Sequence, residues 1–158
     1  MSDEKLSYLI DAYSDSVLRL SFSYLKNFHD AQDVCQTVFL KLYYIDKEFV
    51  DIEYEKAFIL HITANVCKNI LKSSWKKQRV DFEKVSEMGI TQIEEDSIWN
   101  VVNELDEKYG TILYLHYYDG YKIDEISRIL GMKSSTIKTR LARGREQLKK
   151  LLGGNDGK

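Results

Sequence analysis

The sequence predicts an all-α protein: two small helical domains joined by a flexible acidic linker, the second containing a helix-turn-helix. Three observations carry this. Apolar residues recur at three- and four-residue intervals along most of the chain, without strand-like alternation. Proline is absent from all 158 residues, and 44% of them are hydrophobic, enough for real cores. Charge is segregated: Lys68 to Arg79 hold five basic groups and no acid, Asp81 to Glu107 hold nine acids against Lys84 alone, and Gly131 to Lys150 is basic again. The net charge of −2 hides that distribution, which suggests two separate contacts with a polyanion. Domains are expected over 1–79 and 97–152, with 80–96 as the linker and 153–158 as a disordered tail.

The first helix is marked by Leu6, Leu9, Ile10, Tyr13, Val17 and Leu20, with a break expected near Ser14. A second runs from about Asp30 to Tyr44 with Ala31, Val34, Cys35, Val38 and Leu42 as its core stripe. Its other face carries Gln32, Asp33, Gln36, Phe39, Leu40 and Tyr43. Apolar and aromatic groups mixed with amides on a non-core face suit a protein partner; packing of Phe39 and Leu40 on the first helix is the competing reading. The third helix spans about Tyr54 to Gln78, with Phe58, Ile62, Val66, Ile70 and Leu71 inward. His61, Asn65, Lys68, Asn69, Lys72, Lys76 and Arg79 line another face, where amides and ammonium groups suit bases and phosphates. Phe49, Tyr54 and Trp75 are candidates to stack on unpaired bases, although for Trp75 completion of the core is the stronger reading.

The most informative stretch is IDEISRILGMKSSTIKTRLARGREQLKK, Ile123 to Lys150. Ile126, Ile129 and Leu130 recur before Gly131, and Ile137, Leu141 and Leu148 recur after it. Gly131 sits where a helix stops in a left-handed conformation, and Asp124 and Glu125 suit the first-turn dipole. The spacing leaves room only for the turn of a helix-turn-helix. The second helix carries Lys138, Arg140, Arg143, Arg145, Lys149 and Lys150, as entry into a DNA major groove requires. A helical hairpin with a solvated basic face is the plainer alternative.

No apolar run reaches membrane-spanning length, and the N-terminus MSDEKLSYLI lacks a basic-then-apolar signal, so a cytoplasmic location without membrane insertion is expected. Cys35 and Cys67 lie on apolar stripes without metal-type spacing and read as reduced thiols. His29, His61 and His116 lack carboxylates or nucleophiles at a catalytic spacing. Neither enzymatic activity nor a cofactor or metal is expected.

The whole chain resembles a sigma factor of the extracytoplasmic-function (ECF) group of the sigma-70 family. YLKNFHDAQDVCQTVFLKLY is similar to the helix that family docks on the RNA polymerase clamp. FILHITANVCKNILKSSWKKQ resembles its promoter-reading helix. LDEKYGTILYLHYYDGYKIDEISRILGMKSSTIKTRLARGREQLKKLL is similar to its C-terminal domain, most specifically over Thr136 to Arg145. The likeness covers about Tyr8 to Leu152. Departures are Gln32 for Glu, Asn69 and Lys72 for Asp and Arg, Ala64 for Arg, Asp106 for Pro, and Lys122 and Lys133 where Ser caps are usual. A missing cap costs about 1 kcal/mol, which Ser134 would recover by capping a helix shifted one residue.

The resemblance implies a dissociable specificity subunit whose polymerase core performs the chemistry. Region 2, residues 1–79, would bind the clamp through Asp30, Gln32, Asp33, Gln36, Phe39 and Leu40. It would bind the minus-ten element through Tyr54, Asn65, Lys68, Asn69, Lys72 and Lys76, with a flipped base held near the Phe49 to Tyr54 loop beneath the helix bearing Asn65. Region 4, residues 97–152, would read the minus-thirty-five element with Lys138, Thr139 and Arg143, helped by Lys122, Thr136 and Arg140. Arg140 and Arg145 would hold phosphates or intramolecular carboxylates. Partners implied are core RNA polymerase, promoter DNA and an anti-sigma factor anchored to the membrane on its own side. The rival is a helix-turn-helix regulator that never joins the polymerase core; it leaves the Asp30 to Tyr43 surface without a purpose.

Overall fold

A computed structural model describes residues 1–73 and 102–153 of the chain. The expected linker, Trp75, Lys76, Arg79 and the tail beyond Gly153 lie outside the described residues. The described residues contain no strand.

Helix α1 (Asp3–Leu25) starts under the Ser2 hydroxyl, which accepts from the Lys5 amide at 3.1 Å. It is continuous through Ser14, so the expected break does not occur. At Lys26 the backbone turns left-handed with φ 55°, and Asn27 immediately caps α2 (Phe28–Ile45) by accepting from the Asp30 amide at 2.9 Å. Two residues thus reverse the chain. A non-glycine residue at positive φ is uncommon and mildly strained. Asp51 begins α3 (Ile52–Ser73), its carboxylate accepting from the Tyr54 amide at 2.7 Å.

These three helices share a core. Ala31, Val34, Val38 and Leu42 bury the expected stripe of α2 against Leu9, Val17 and Leu20 of α1, while Cys35 is half-buried. Each buried Val or Leu contributes about 1.5–3 kcal/mol. On α3 the buried stripe is Ile59, Leu60, Thr63, Ala64 and Cys67. The expected inward set, Phe58, Ile62, Val66, Ile70 and Leu71, is only half-buried. The reason is that α3 is covered from two sides, so apolar groups flank the deepest stripe instead of forming it. Thr63 satisfies its hydroxyl by donating to the Ile59 carbonyl at 2.8 Å. Glu55 is also buried, accepting from the Tyr13 hydroxyl at 2.6 Å and from Tyr8 at 3.2 Å.

The second half contains α4 (Glu107–Leu113), a π-helical turn over Tyr114–Tyr118, α5 (Ile123–Leu130) and α6 (Ser134–Gly153). The π turn stacks Tyr114 and Tyr118 with ring centroids 5.5 Å apart. Gly110 lets the Val102–Leu105 turn lie directly on α4; a Cβ there would meet the Val102 carbonyl oxygen at 2.9 Å. Ile112, Leu113, Leu115, Ile126, Ile129, Ile137 and Leu141 form the core of this half.

The two halves pack on each other. Helix α1 meets α4, α3 meets α5, and their buried side chains join one apolar cluster.

Candidate nucleic-acid and polymerase interfaces

The helix-turn-helix follows the expected chemistry at its turn. Gly131 adopts φ 68° and its amide donates to the Ser127 carbonyl, as does that of Met132 at 3.1 Å. Lys122 precedes α5; its amide donates to the Glu125 carboxylate at 2.8 Å, half of a capping box, since an ammonium cannot accept. Lys133 precedes α6 without a capping oxygen. Ser134 does not rescue this: it is the first helical residue, and its hydroxyl donates to Asp124 at 3.4 Å.

Along α6, Lys138, Thr139 and Arg143 are all exposed. The Thr139 hydroxyl donates back to the Ser135 carbonyl at 3.0 Å, leaving its oxygen able to accept from solvent. Thr136 and Arg140 are half-buried beside them, and Lys122 is exposed at the start of α5. A groove of about 330 Å³ is lined by Lys108, Tyr109, Ser135, Thr136, Thr139, Arg140 and Arg143. Cations and hydroxyls on one concave face are the groups that bind phosphodiester oxygens. Arg145 departs from expectation: it donates to the Tyr117 hydroxyl at 2.6 Å, so its intramolecular partner is a phenol and not a carboxylate. Arg140 lies near Glu107, whose carboxyl is raised above its ordinary range, first by burial and then by Asp106, with Arg140 opposing the shift.

On α3 the expected stripe divides. Asn65, Asn69 and Lys72 are exposed. His61 and Lys68 point instead into the second half. His61 Nδ1 donates to the Ile129 carbonyl at 2.8 Å, and Lys68 donates to the Leu130 carbonyl. With Nδ1 carrying the proton, Nε2 accepts from the Asn65 amide at 3.2 Å. Burial lowers the Lys68 pKa from its ordinary value. Lys68 is therefore half-buried in an intramolecular contact where an open DNA-facing cation was expected.

A cavity of about 670 Å³ opens beside the Phe49 to Tyr54 loop, lined on one side by Tyr54, Phe58 and His61 and on the other by Asp119, Tyr121, Glu125 and Arg128. The helix bearing Asn65 lines this cavity through Tyr54, Phe58 and His61, while Asn65 itself is not among its lining residues. Tyr54 is exposed, yet its ring already packs with Phe49 and Phe58 at 5.8 and 6.4 Å, and the Lys47 ammonium sits 5.6 Å from its centroid.

On α2, Gln32, Asp33 and Gln36 are exposed, Asp30 is half-buried in the first turn, and Leu40 is 58% exposed. Phe39 is only 7% exposed. It belongs to the core, so the two readings of this pair split: Phe39 packs inward and Leu40 faces out. Tyr44, Ile45 and Val50 extend the exposed apolar surface. Spacing did not single them out because they follow the last turn of the stripe.

Both cysteines are free thiols, pushed up by burial to about 11 for Cys35 and about 12 for Cys67, and so are poor nucleophiles near neutrality. Arg19, Lys26, Lys56 and Asp119 escaped the sequence reading. Their partners lie in the other half, and those of Arg19 and Lys26 are a ring face and main-chain carbonyls. No sequence signal marks such pairs.

These features define an all-helical DNA-binding protein with a helix-turn-helix and a second basic helix. Family comparison narrows the class: residues 9–77 match Sigma-70 region 2, and residues 95–148 match Sigma-70, region 4. The chain belongs to the sigma-70 family, within its ECF group. It is 27% identical to the ECF RNA polymerase sigma factor SigW of Bacillus subtilis, covering 91% of this chain and 87% of that protein. It is 28% identical to the sigma factor SigV of the same organism, covering 85% and 82%. Two solved structures share the fold. The sigma factor RpoE of Bartonella quintana, solved with the anti-sigma factor NepR, superposes with a TM-score of 0.64 at 15% identity, covering 94% of this chain and 97% of that one. CnrH, solved with the cytosolic domain of CnrY, gives a TM-score of 0.65 at 16% identity over 97% and 90%.

Proposed function

We propose that this chain directs core RNA polymerase to promoters through two DNA-binding helices, α3 for the minus-ten element and α6 for the minus-thirty-five element. The observation that carries the assignment is the exposed set Lys138, Thr139 and Arg143 on one face of α6, directly after the helix-turn-helix turn. Region 2 corresponds to residues 1–79 and region 4 to 97–152. On α3 the contacts are Asn65, Asn69 and Lys72, joined by Lys68 once it is released from region 4; Lys76, three residues beyond the helix in sequence, completes the set. The clamp surface is Asp30, Gln32, Asp33, Gln36 and Leu40, with Tyr44 added and Phe39 supporting from beneath.

The protein has no catalytic role of its own; nucleotide addition belongs to the polymerase core. It acts in the cytoplasm. Among the described residues no helix is long and apolar enough to cross a membrane. An anti-sigma factor, anchored to the membrane on its own side, inhibits the chain by covering its polymerase-binding faces. The structural neighbour RpoE, solved with the anti-sigma factor NepR, supports this.

The test is run-off transcription with purified core polymerase and a genomic library. Transcripts from a discrete promoter set, abolished by Arg143→Ala, are expected. Transcription indistinguishable from core polymerase alone would refute the proposal. Core-independent binding to an operator, without transcription, would favour the plain regulator.

A further inference from the structure

The seam between the halves leaves a cavity of about 290 Å³ among α3, α4 and α6. Four cationic side chains line it: Lys68 and Lys72 from α3, Lys108 from α4 and Arg140 from α6. Among the described residues Glu107 is the single carboxylate in the lining, beside the Thr111 hydroxyl.

Like charges at close quarters repel, and little here offsets them. Among the described residues none of the four cations is in an ion pair. Glu107 is a weakened counter-charge, because burial raises its carboxyl above the ordinary range. The crowding registers on Lys68: burial lowers its ammonium first, Glu107 opposes the shift, and Arg140 and Lys72 lower it again. Lys68 and Arg140 are half-buried, so water and salt screen them less than surface cations. Lys68 gives one donor to the Leu130 carbonyl and keeps two for another acceptor.

A concave, partly dry space that gathers excess positive charge attracts an anion. Size and charge decide which. About 290 Å³ admits two or three linked phosphates but no duplex, and it lies below the range of drug-sized ligands. A linked chain also carries more charge than a single sulfate, matching four cations set against one carboxylate. The cavity shares Lys108 and Arg140 with the groove of about 330 Å³ at the start of α6, so such a chain can continue toward Ser135 and Thr136.

We propose that this cavity binds a small polyphosphate anion, which ties α3 of the first half to α4 and α6 of the second. The ligand bridges Lys68 and Lys72 to Lys108 and Arg140, replacing their repulsion with a shared attraction. It binds the closed chain in preference to an open one, where these cations stand apart, and so stabilises closure by mass action. Because Lys72 and Arg140 are also promoter contacts, the ligand competes with DNA. That consequence, unlike the site itself, rests on the assignment of α3 and α6 to promoter contact.

The test is calorimetric titration of the full chain with inorganic tripolyphosphate at fixed ionic strength, with sulfate as comparator. Saturable one-to-one binding is expected, about tenfold or more tighter than sulfate. Lys108→Ala, at an exposed position assigned to neither promoter element, should weaken it about tenfold through loss of one charge-assisted contact. Lys149→Ala, at an exposed α6 cation outside the lining, should change it by less than about twofold. Dyes placed at exposed positions 41 and 146 through non-natural amino acids report the distance between halves by energy transfer, which should hold or rise as tripolyphosphate is added. Metal-free adenosine triphosphate is the second probe: equal or weaker affinity assigns the site to the bare phosphate chain, and tighter affinity to a nucleotide. Absence of saturable binding, affinity no better than that for sulfate, equal losses in the two lysine variants, or energy transfer that falls on binding would each overturn the proposal. Failure of wild-type chain and core polymerase to make promoter-specific transcripts would overturn the functional reading, while the titration still decides whether the anion site exists.

Discussion

The two basic helices use similar residue types and meet different surroundings. On α6, Lys138, Thr139 and Arg143 stand in solvent; on α3, His61 and Lys68 are bonded to carbonyls of α5 while Asn65, Asn69 and Lys72 remain exposed. The difference teaches that a polar, basic stripe is not equivalent to a free surface. A helix C-terminus offers oxygens and negative field to any ammonium within reach, and a two-domain chain brings such termini close to its own cations. Surface availability is thus a property of the arrangement, not of the stripe.

Four experiments press on this contrast. The largest effect is expected from Arg143→Ala, which should weaken promoter binding by roughly 1–3 kcal/mol if the side chain reads a base edge. Because α6 is open, the weakening should be the same for the free chain as with polymerase. In footprints, protection of the upstream element should disappear while that of the downstream element persists; disappearance of both would break the picture of separate surfaces.

Next is Asp33→Lys, which reverses a charge on the exposed face of α2 without touching its buried stripe. Affinity for core polymerase should fall by about 1–2 kcal/mol with helicity unchanged, as read by a titrated pull-down and circular dichroism. Unaltered affinity would remove α2 from the clamp surface.

A smaller effect is expected from Lys72→Ala, a phosphate contact by type. It should lower the slope of log affinity against log salt by about 1, and do so more in the polymerase complex than in the free chain. Equal effects in both would show that α3 is as accessible as α6.

The smallest is a pH effect on the seam. Burial pushes the Lys26 ammonium down to about 8 from its ordinary 10.5, partly opposed by Asp106, Glu107 and Glu104. The closed state therefore favours the neutral amine, and closing releases a proton wherever the open chain still holds one. Closure should be flat below about pH 8 and tighten severalfold as pH rises toward 10.5. Energy transfer in the wild-type chain should show this rise, and Lys26→Met should show less of it.

Much of the fold was legible because it depends on local periodicity and turn chemistry. Gly131 marked its left-handed turn, and Ala31, Val34, Val38 and Leu42 marked the buried stripe of α2. Helix α3 misled because it is covered on two sides, which blurs a single inward stripe. Phe39 could not be told from Leu40 by spacing, since adjacent residues straddle the edge of the core. The π turn at Tyr114–Tyr118 and the left-handed Lys26 had no distinctive residue to announce them. For the candidate site, the exposed residues of α6 followed from sequence, whereas the fates of His61 and Lys68 did not. Their acceptors are main-chain oxygens, which every residue possesses.

Gly110 has a reach beyond its own helix. Since a methyl group there would meet the Val102 oxygen at 2.9 Å, the Val102–Leu105 turn is held down only while position 110 lacks a side chain. That turn carries the two carbonyls that receive Lys26. A glycine of α4 thereby sets how far the acceptors stand from the cation. Raising the turn by a few tenths of an ångström would lengthen both bonds together, so the ease with which the chain opens is tunable from a position that touches neither DNA nor polymerase.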